Sequence, residues 1–249
     1  MRVIVTGAAG FIGSNLVLGL NRIGIDDVIA VDDLTDGPKY RNLLGARISD
    51  YFDKREFYAR FARGEFGKVD AVLHQGACSD TMEHDGRFML DNNYRCSKDL
   101  LDAAQAQGTR LLSGDLVEFD ATPYAGDAYF KDWPQTLENV AALKPLALVP
   151  GRGPALVGES QVAAGLKATG GFIADVRDSV AAGVAAGKDL NTVYKDTFAK
   201  LKPKYGHWVI FDHCMPFDVT RAYDEATQFP DPRIWTAERD RIMWEALEG

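Results

Sequence analysis

The stretch VIVTGAAGFIGSN, residues 3–15, sets the architecture of the first part of this chain. It opens with three β-branched residues, which predict a short strand buried on both faces. A helix is predicted over residues 11–23, because apolar side chains recur there at the three- and four-residue spacing of one helical face. These apolar positions are Ile12, Leu16, Leu20 and Ile23.

Three glycines occupy the turn between this strand and this helix, at Gly7, Gly10 and Gly13. The first glycine allows a tight turn, the second lets the backbone approach a pyrophosphate, and the third lets the helix pack close to the sheet. Free N–H groups at the start of the helix then favour a phosphate group. The spacing predicts the phosphate-binding turn of a Rossmann unit, and a glycine turn without a ligand is the alternative.

Strand and helix signals go on alternating as far as residue 112. Further strands are predicted over residues 28–31, 69–73 and 109–112, and further helices over residues 53–61 and 93–105. Alternation of this kind is typical of βαβ units that build a parallel sheet with flanking helices. The first part is therefore predicted to be α/β, with a partial Rossmann-like parallel sheet.

The composition is that of a soluble globular protein. The chain has 249 residues, 46% of them hydrophobic and 26% charged, which suffices for one large domain or two modest ones. Its net charge of -8 argues against nucleic acid and anionic membranes as partners. No signal peptide is visible, and no apolar run approaches the roughly 20 residues of a membrane span. The three cysteines share no short spacing, so we expect a reduced, cytoplasmic setting.

From residue 113 to 249 alanine and proline become more frequent, glycine stays common, and the alternation loosens. We expect an α/β region here, separate from the part at 1–112. Strands are predicted over residues 146–149 and 208–211, and helices over residues 133–143, 160–186, 189–201 and 236–247. Gly170 and Gly171 are expected to break the long helix. Thr236 is expected to cap the last helix.

Five short segments of the first part form a specific combination. They read TGAAGFIGSN (6–15), DGPKY (36–40), DYFDK (50–54), HQGACS (74–79) and DNNY (91–94). With these segments, residues 1–112 resemble the ADP-glycero-manno-heptose 6-epimerase family, which belongs to the extended short-chain dehydrogenases/reductases. The resemblance implies a nucleotide-sugar substrate and a tightly bound NADP that oxidises a sugar carbon transiently and returns the hydride to the opposite face.

The resemblance also implies a set of cofactor-binding residues. Phe11 and Ile12 would cover the pyrophosphate, and Asn93 would contact the cofactor. Two acidic residues would lie by the ribose, and two lysines would neutralise phosphates. The whole set is Gly7, Gly10, Phe11, Ile12, Gly13, Asp32, Asp33, Lys39, Lys54, Gln75, Gly76, Ala77, Cys78, Ser79 and Asn93.

The charge of Asp32 bears on the choice between NADP and NAD. It follows the second strand, 19 residues after Gly13, where an acidic side chain meets the adenosine ribose. A carboxylate there repels a 2′-phosphate and favours NAD. Lys39, and with it Arg41, can offset that repulsion, so NADP is placed ahead of NAD. Without the resemblance, Lys39 and Lys54 read equally well as solvated surface charges.

The catalytic motif of the family is missing from its expected place. The family supplies its general acid/base as Tyr-x-x-x-Lys on a helix after the strand near residue 112. Here that strand runs into Ser113-Gly114-Asp115, and the one Tyr-x-x-x-Lys in the chain is Tyr94 to Lys98. That pair falls in the DNNY segment, so helix packing and a solvated lysine are its simpler interpretation. We expect a unit that holds cofactor and lacks turnover.

The second part resembles the C-terminal half of a metallo-β-lactamase-fold hydrolase. The resemblance rests on LSGDLV (112–117), Trp133, Leu137 and VPGRGP (149–154). It implies that Asp115 is a metal ligand and that Arg152 stands where the family has a ligating histidine. An arginine stays protonated and does not bind a cation. A zinc site needs three or four ligands, so we expect no metal and keep Asp115 as a weak candidate.

A replacement metal site is conceivable near the end of the chain, at His207, Asp212, His213, Cys214 and Asp218. The two histidines are six positions apart, which fits neither one helical face nor a known finger spacing. Buried or capping polar residues are the alternative.

Three hypotheses follow from the sequence. The first is a chimera that joins an NADP-binding epimerase front to a hydrolase-like tail near Leu111 and Leu112, and that epimerises nothing. The second is a metal-dependent hydrolase with a degraded metal site. The third is a non-enzymatic or misfolded product, because both parental folds are cut through their cores. Whether the chain forms a homo-oligomer is left open.

Overall fold

The computed structural model describes residues 1–35, 37–80, 82–108, 110–112, 116–233 and 235–248. The chain divides into two compact units, Met1–Ser113 and Gly114–Gly249. The first unit alternates strands and helices, and the second is built mainly from helices. None of the helices in the described ranges combines the length and the low polarity needed to cross a membrane.

The first unit contains the predicted strands and helices in the predicted order. Its elements are β1 (Val3–Thr6), α1 (Phe11–Arg22), β2 (Val28–Asp32), β3 (Asp50–Asp53), α2 (Lys54–Ala62), β4 (Ala71–His74), α3 (Gly86–Met89), α4 (Cys96–Gln107) and β5 (Arg110–Leu112). A 3-10 turn spans Lys39–Leu43, and a π-helical turn, Leu90–Arg95, joins α3 to α4. No pattern in the sequence predicted β3 or α3. Thr109, the expected first residue of the last strand, lies outside the described residues.

The five strands form one parallel sheet in the order β3-β2-β1-β4-β5. In the register, Thr6 of β1 stands between Val31 of β2 and His74 of β4. The chain moves outward from β1 on one side and then returns to add β4 on the other. Ligands of open parallel sheets bind at such a reversal, outside the carboxyl ends of the strands. The predicted partial Rossmann-like sheet is therefore confirmed.

Apolar residues cover both faces of this sheet, which is why its central strands carry continuous β-branched runs. On one face, Ile4 packs in a buried cluster with Phe57 of α2 and Leu100 of α4. On the other face, Val5 packs in a second cluster with Val17 of α1. One helix therefore covers one face and two helices cover the other.

The second unit contains five helices and one small sheet within its described residues. They are α5 (Trp133–Ala142), β6 (Ala147–Leu148), β7 (Leu156–Val157), α6 (Glu159–Ala185), α7 (Leu190–Tyr205), α8 (Phe211–Thr227) and α9 (Ala237–Glu248). β6 and β7 pair antiparallel. The core lies between α6, α7 and α8, where Phe172, Val193 and Met215 are fully buried.

The expected α/β layout of the second part is not supported. Each strand described there is two residues long, and the alanine-rich region forms the long helix α6, as the helix propensity of alanine favours. The resemblance to half of a metallo-β-lactamase fold therefore has no counterpart in the described architecture. The predicted cap of α9 is confirmed, because Oγ1 of Thr236 accepts the N–H of Arg239 at 3.2 Å.

Two local predictions in the second unit were wrong. Gly170 and Gly171 do not interrupt α6, because tertiary packing outweighs the low helix propensity of glycine. A Cβ on Gly170 would lie 3.3 Å from the side chain of Leu137, so the small residue lets α5 pack closely. Residues 208–211 do not form a strand: Val209 makes one isolated bridge to Ala121, and Phe211 begins α8.

Candidate functional site

A cleft of about 410 Å³ opens at the carboxyl ends of β1, β2 and β4, at the point where the strand order reverses. It is lined by Thr6, Gly7, Gly10, Phe11, Ile12, Gly13, Val31, Asp32, Asp33, Lys39, Lys54, Tyr58, Gln75, Gly76, Ala77, Ser79 and Asn92. The structure thus brings together most of the residues that the sequence suggested for cofactor binding. Asp36 lies outside the described residues.

The glycine turn brings backbone atoms closer together than side chains would allow. Gly7 has a φ of +65°, and a Cβ on it would lie 2.7 Å from the carbonyl oxygen of Gln75. A Cβ on Gly13 would lie 2.0 Å from the carbonyl oxygen of Gly7. The first contact closes the turn against the end of β4, and the second sets the start of α1 against the turn. Both positions therefore require glycine.

The start of α1 offers its backbone N–H groups to the cleft. Gly10 precedes the helix and provides no side-chain hydrogen bond to these groups. The next two residues are large and apolar but exposed, Phe11 at 85% and Ile12 at 57%. An uncapped helix start attracts anions, and two exposed apolar side chains beside it can cover a bound ligand.

Asp32 forms the floor of the cleft at the end of β2. Its Oδ2 accepts the N–H of Ala9 at 2.7 Å, and its Oδ1 accepts the N–H of Asp33 at 2.7 Å. The ammonium of Lys39 donates to the same Oδ1 at 2.6 Å. Hydrogen bonds therefore fix both oxygens of the carboxylate, and the bond from Ala9 connects Asp32 to the glycine turn.

The neighbouring carboxylate, Asp33, is held in its charged form. Hydrogen bonds from the hydroxyl and the N–H of Thr35 lower the pKa of Asp33 to about 2, and the nearby Lys54 contributes to this shift. The Nζ of Lys54 lies 3.4 Å from Oδ2 of Asp33 and donates to Oδ1 of Asn92 at 3.0 Å. One lysine thus joins the two sides of the cleft.

Two of the residues suggested from the sequence, Cys78 and Asn93, do not line the cleft. Asn93 turns its amide toward the backbone of Cys78, where Oδ1 accepts the N–H at 2.7 Å and Nδ2 donates to the carbonyl at 2.9 Å. Its neighbour Asn92 faces the cleft instead. Asn93 therefore fixes the loop that carries Ala77 and Ser79, and its contact with a cofactor stays a prediction.

Four residues that line the cleft were not predicted from the sequence: Thr6, Val31, Tyr58 and Asn92. Thr6 and Val31 end their strands, so the rule that ligands bind at carboxyl ends could have found them. Tyr58 lies on α2, one position after the buried Phe57, and carried no motif signal.

The described part of the cleft contains no tyrosine suited to act as a base. Tyr58 lines the cleft, but burial raises its pKa, which opposes ionisation. Tyr94 is 63% exposed and does not line the cleft, and Lys98 pairs with Asp102 on the surface of α4. A general base must reach the substrate and have a pKa near the working pH, and Tyr94 does not meet the first condition, whereas Tyr58 does not meet the second.

The described residues of the second unit do not form a metal centre. Asp115 lies outside them, and Arg152 donates to the buried carboxylate of Glu118 at 2.7 Å. Across the described residues of the whole chain, no three histidine, cysteine, aspartate or glutamate side chains come together in a group that could hold a metal ion.

The hypothesis of a replacement metal site was wrong, because its members point to different partners. Asp212 pairs with Lys202, and Asp218 accepts the N–H of Ala125 at 2.6 Å. The ring of His213 packs on Phe217, whereas His207 lies near Trp208. Burial raises the pKa of Cys214 to about 12, so this thiol is not a ready ligand.

A parallel sheet with a glycine turn at the point where the strand order reverses has the architecture of a Rossmann-like unit. Residues 3–115 match the NAD dependent epimerase/dehydratase family. The match relates the first unit to that family and ends close to the boundary between the units.

Solved structures of sugar-nucleotide epimerases are also similar to this chain. ADP-L-glycero-D-manno-heptose-6-epimerase of Helicobacter pylori is 24% identical over 46% of this chain and 38% of its own, with a TM-score of 0.40. UDP-glucuronic acid 4-epimerase of Bacillus cereus, in complex with NAD, is 26% identical over 46% and 40%, with a TM-score of 0.38. UDP-glucose 4-epimerase of Thermotoga maritima is 22% identical over 60% and 54%, with a TM-score of 0.46. The chain thus covers 38% to 54% of the length of these three proteins.

Proposed function

We propose that the first unit binds a nicotinamide dinucleotide in the cleft around Gly7 and Asp32, and that NADP is preferred over NAD. The observation that carries the proposal is the glycine turn, where added Cβ atoms would meet backbone. That turn leads into a helix start without a side-chain cap, which is the arrangement that receives a pyrophosphate.

The residues around the cleft suit the two ends of such a cofactor. The pyrophosphate would lie on the N–H groups at the start of α1, under Phe11 and Ile12. The adenosine ribose would lie beside Asp32, whose Oδ2 accepts one hydrogen bond, from Ala9, and can accept another. The wall formed by Gln75, Gly76 and Ala77 would face the rest of the molecule.

The preference for NADP rests on Lys39. Asp32 alone would repel a 2′-phosphate, but its charge is already balanced by the ammonium 2.6 Å away. The side chain of Lys39 is 39% exposed, so it can contact a second anion without leaving Asp32. NAD remains the competing ligand, because it lacks the phosphate that Asp32 disfavours.

We extend the proposal to the reaction. The resemblance points to ADP-glycero-manno-heptose as the substrate class, and the described residues supply no base for its oxidation. The chain would therefore hold the cofactor and not epimerise. It would be a chimera, since the family match ends at residue 115, beside the boundary between the units.

Titration calorimetry of the whole chain with NADP and with NAD tests binding and its preference. We expect saturable binding of both ligands with tighter binding of NADP, and absence of binding at millimolar ligand would refute the proposal. Incubation with NADP and ADP-glycero-manno-heptose tests turnover, and inversion at C6 would refute the inactive part. Native mass spectra with added zinc test the hydrolase alternative and report the oligomeric state.

A further inference from the structure

A chain of side-chain hydrogen bonds runs behind the cleft, through His74 at the end of β4. The hydroxyl of Thr6 lies 2.7 Å from Nδ1 of His74, and the hydroxyl of Ser97 lies 2.8 Å from Nε2. Thr6 ends β1, and Ser97 stands in the first turn of α4. The imidazole thus joins a central strand to a helix of the unit.

The other bonds of the two hydroxyls determine the tautomer of His74. Oγ1 of Thr6 already accepts the N–H groups of Gln75 and Gly76, each at 3.1 Å. Both its lone pairs are occupied, so its proton points to Nδ1. The hydroxyl of Ser97 donates to the carbonyl of Asn93 at 2.6 Å, so Ser97 accepts from Nε2. His74 is therefore neutral, with its proton on Nε2.

Both ends of this chain of hydrogen bonds fix residues 75–79, which form one wall of the cleft. At one end, Thr6 fixes the backbone of Gln75 and Gly76, against which Gly7 packs. At the other end, Ser97 bonds to Asn93, which clamps Cys78 in the loop between two lining residues. One imidazole thus connects the two contacts that hold this wall.

From this geometry we infer that His74 is a positioning residue for the dinucleotide, and that its protonation weakens binding. A proton on Nδ1 would face an oxygen that already accepts two N–H groups. Oγ1 of Thr6 would then release the N–H of Gly76, because the N–H of Gln75 also bonds to the carbonyl oxygen of Thr6 at 3.2 Å, and the wall beside Gly7 would shift. The inference rests on the proposed function, since it concerns the same cleft.

The surroundings of His74 favour its neutral form. The groups that touch the ring, the hydroxyls of Thr6 from β1 and Ser97 from α4, are uncharged. The titratable Cys96 of α4 directs its thiol to the carbonyl of Asn92. Burial lowers the pKa of His74 below its usual 6.5. The hydrogen bonds of the neutral ring are therefore fully formed above about pH 6.5, the usual pKa of histidine. They are lost as the pH falls through the lower pKa that His74 has in the folded protein.

Calorimetric titration with NADP between pH 8 and pH 5 tests this inference. For the wild type we expect the dissociation constant to rise roughly tenfold over this range, which corresponds to the loss of about one hydrogen bond. His74→Asn keeps an acceptor for the hydroxyl of Thr6 and cannot titrate. The dissociation constant of this variant should therefore lack the tenfold rise. The 2′-phosphate also titrates near pH 6. Its effect is common to both proteins and cancels in the comparison.

Two further variants separate the role of His74 from general effects. His84→Asn removes an exposed histidine and should keep the wild-type profile. Ser97→Ala breaks the link to Asn93 and should weaken binding at every pH while the dependence on pH remains. Nitrogen NMR of the wild type reads the tautomer directly, even if His74→Asn does not fold.

The outcomes distinguish the inference from the proposed function. A wild type that binds no dinucleotide at pH 8 overturns both. A wild type that binds, with a pH profile that His74→Asn leaves unchanged, overturns only the role of His74. A proton on Nδ1 in the NMR spectrum also overturns it, because the hydrogen-bond chain would then run in the opposite sense.

Discussion

Lys39 and Asp32 form an ion pair in the lining of the cleft, with Nζ 2.6 Å from Oδ1. The carboxylate side chain is 8% exposed, and that of the lysine is 39% exposed. The two charges therefore differ in their access to a ligand. The anion is buried, and its Oδ1 already accepts two hydrogen bonds, whereas the ammonium keeps free donors at the surface. Lys39 is therefore the residue that a 2′-phosphate would meet first.

Lys39→Met is expected to weaken NADP binding and to leave NAD binding nearly unchanged. Removal of the ammonium deletes one charged hydrogen bond to the 2′-phosphate and exposes the charge of Asp32, which together correspond to roughly tenfold or more in affinity. Calorimetry with both cofactors measures the ratio. Lys68→Met, at an exposed position away from the cleft, is the matched control. An equal loss for NAD and NADP would contradict the assignment of Lys39.

Gly13→Ala is expected to abolish dinucleotide binding and to destabilise the first unit by about 1–3 kcal/mol, because the new Cβ would lie 2.0 Å from the carbonyl oxygen of Gly7. Gly19→Ala is the control on the same helix. Nothing lies within 4 Å of a Cβ at Gly19, so this change should stabilise the helix by about 0.5–1 kcal/mol. Urea unfolding and calorimetry measure the two effects. Equal stability of the two variants would argue against the close approach at Gly13.

Asp218→Asn is expected to change how the stability of the second unit depends on pH. Burial raises the pKa of Asp218 well above its usual 3.8. The protonated acid contributes its full stability below about pH 3.8, the usual pKa of aspartate. This contribution is lost as the pH rises toward the pKa that Asp218 has in the folded protein. Relative to the variant, the wild type should therefore lose free energy of unfolding as the pH increases.

Thermal unfolding across a pH series checks this expectation. Asp178→Asn on the exposed surface of α6 controls for the loss of one carboxylate. A difference between wild type and Asp218→Asn that stays constant with pH would show that Asp218 ionises as readily in the folded as in the unfolded chain.

Arg221→Met is expected to destabilise the second unit by about 3–5 kcal/mol, because it leaves buried acceptors without their donor. The guanidinium is fully buried and donates to Glu225 and to the carbonyl oxygens of Ala128, Phe229 and Pro230. Arg177→Met removes a surface arginine and should cost at most about 1 kcal/mol. Urea unfolding measures both, and similar values for the two variants would refute a structural role of Arg221.

The first unit could be predicted from its sequence because several local signals agree there. The β-branched run before Gly7, the helical period after Gly10 and the carboxylate of Asp32 all point to the same fold. β3 was not predicted, because Asp50–Asp53 is a short, partly exposed strand with acidic residues at both ends. The direction of Asn93 could not be predicted either, since it depends on contacts with a distant loop.

In the second unit, the elements around residues 208–216 could not be predicted correctly, for different reasons. The short apolar run at residues 208–211 is compatible with a strand or a buried turn, and periodicity does not separate the two. The chain turns there through Ile210, whose φ is +59°, and then enters α8. Pro216 lies inside that helix, where proline ordinarily marks an end.

The burial of β1 has a consequence for the dynamics of the cleft. This strand is paired on both sides and covered by apolar clusters on both faces, so its amide protons should be among the slowest of the unit to exchange with solvent. The turn that carries Lys39 contains no buried residue and should open far more often. A ligand would thus meet one rigid wall and one mobile wall, and it would slow exchange mainly on the Lys39 side.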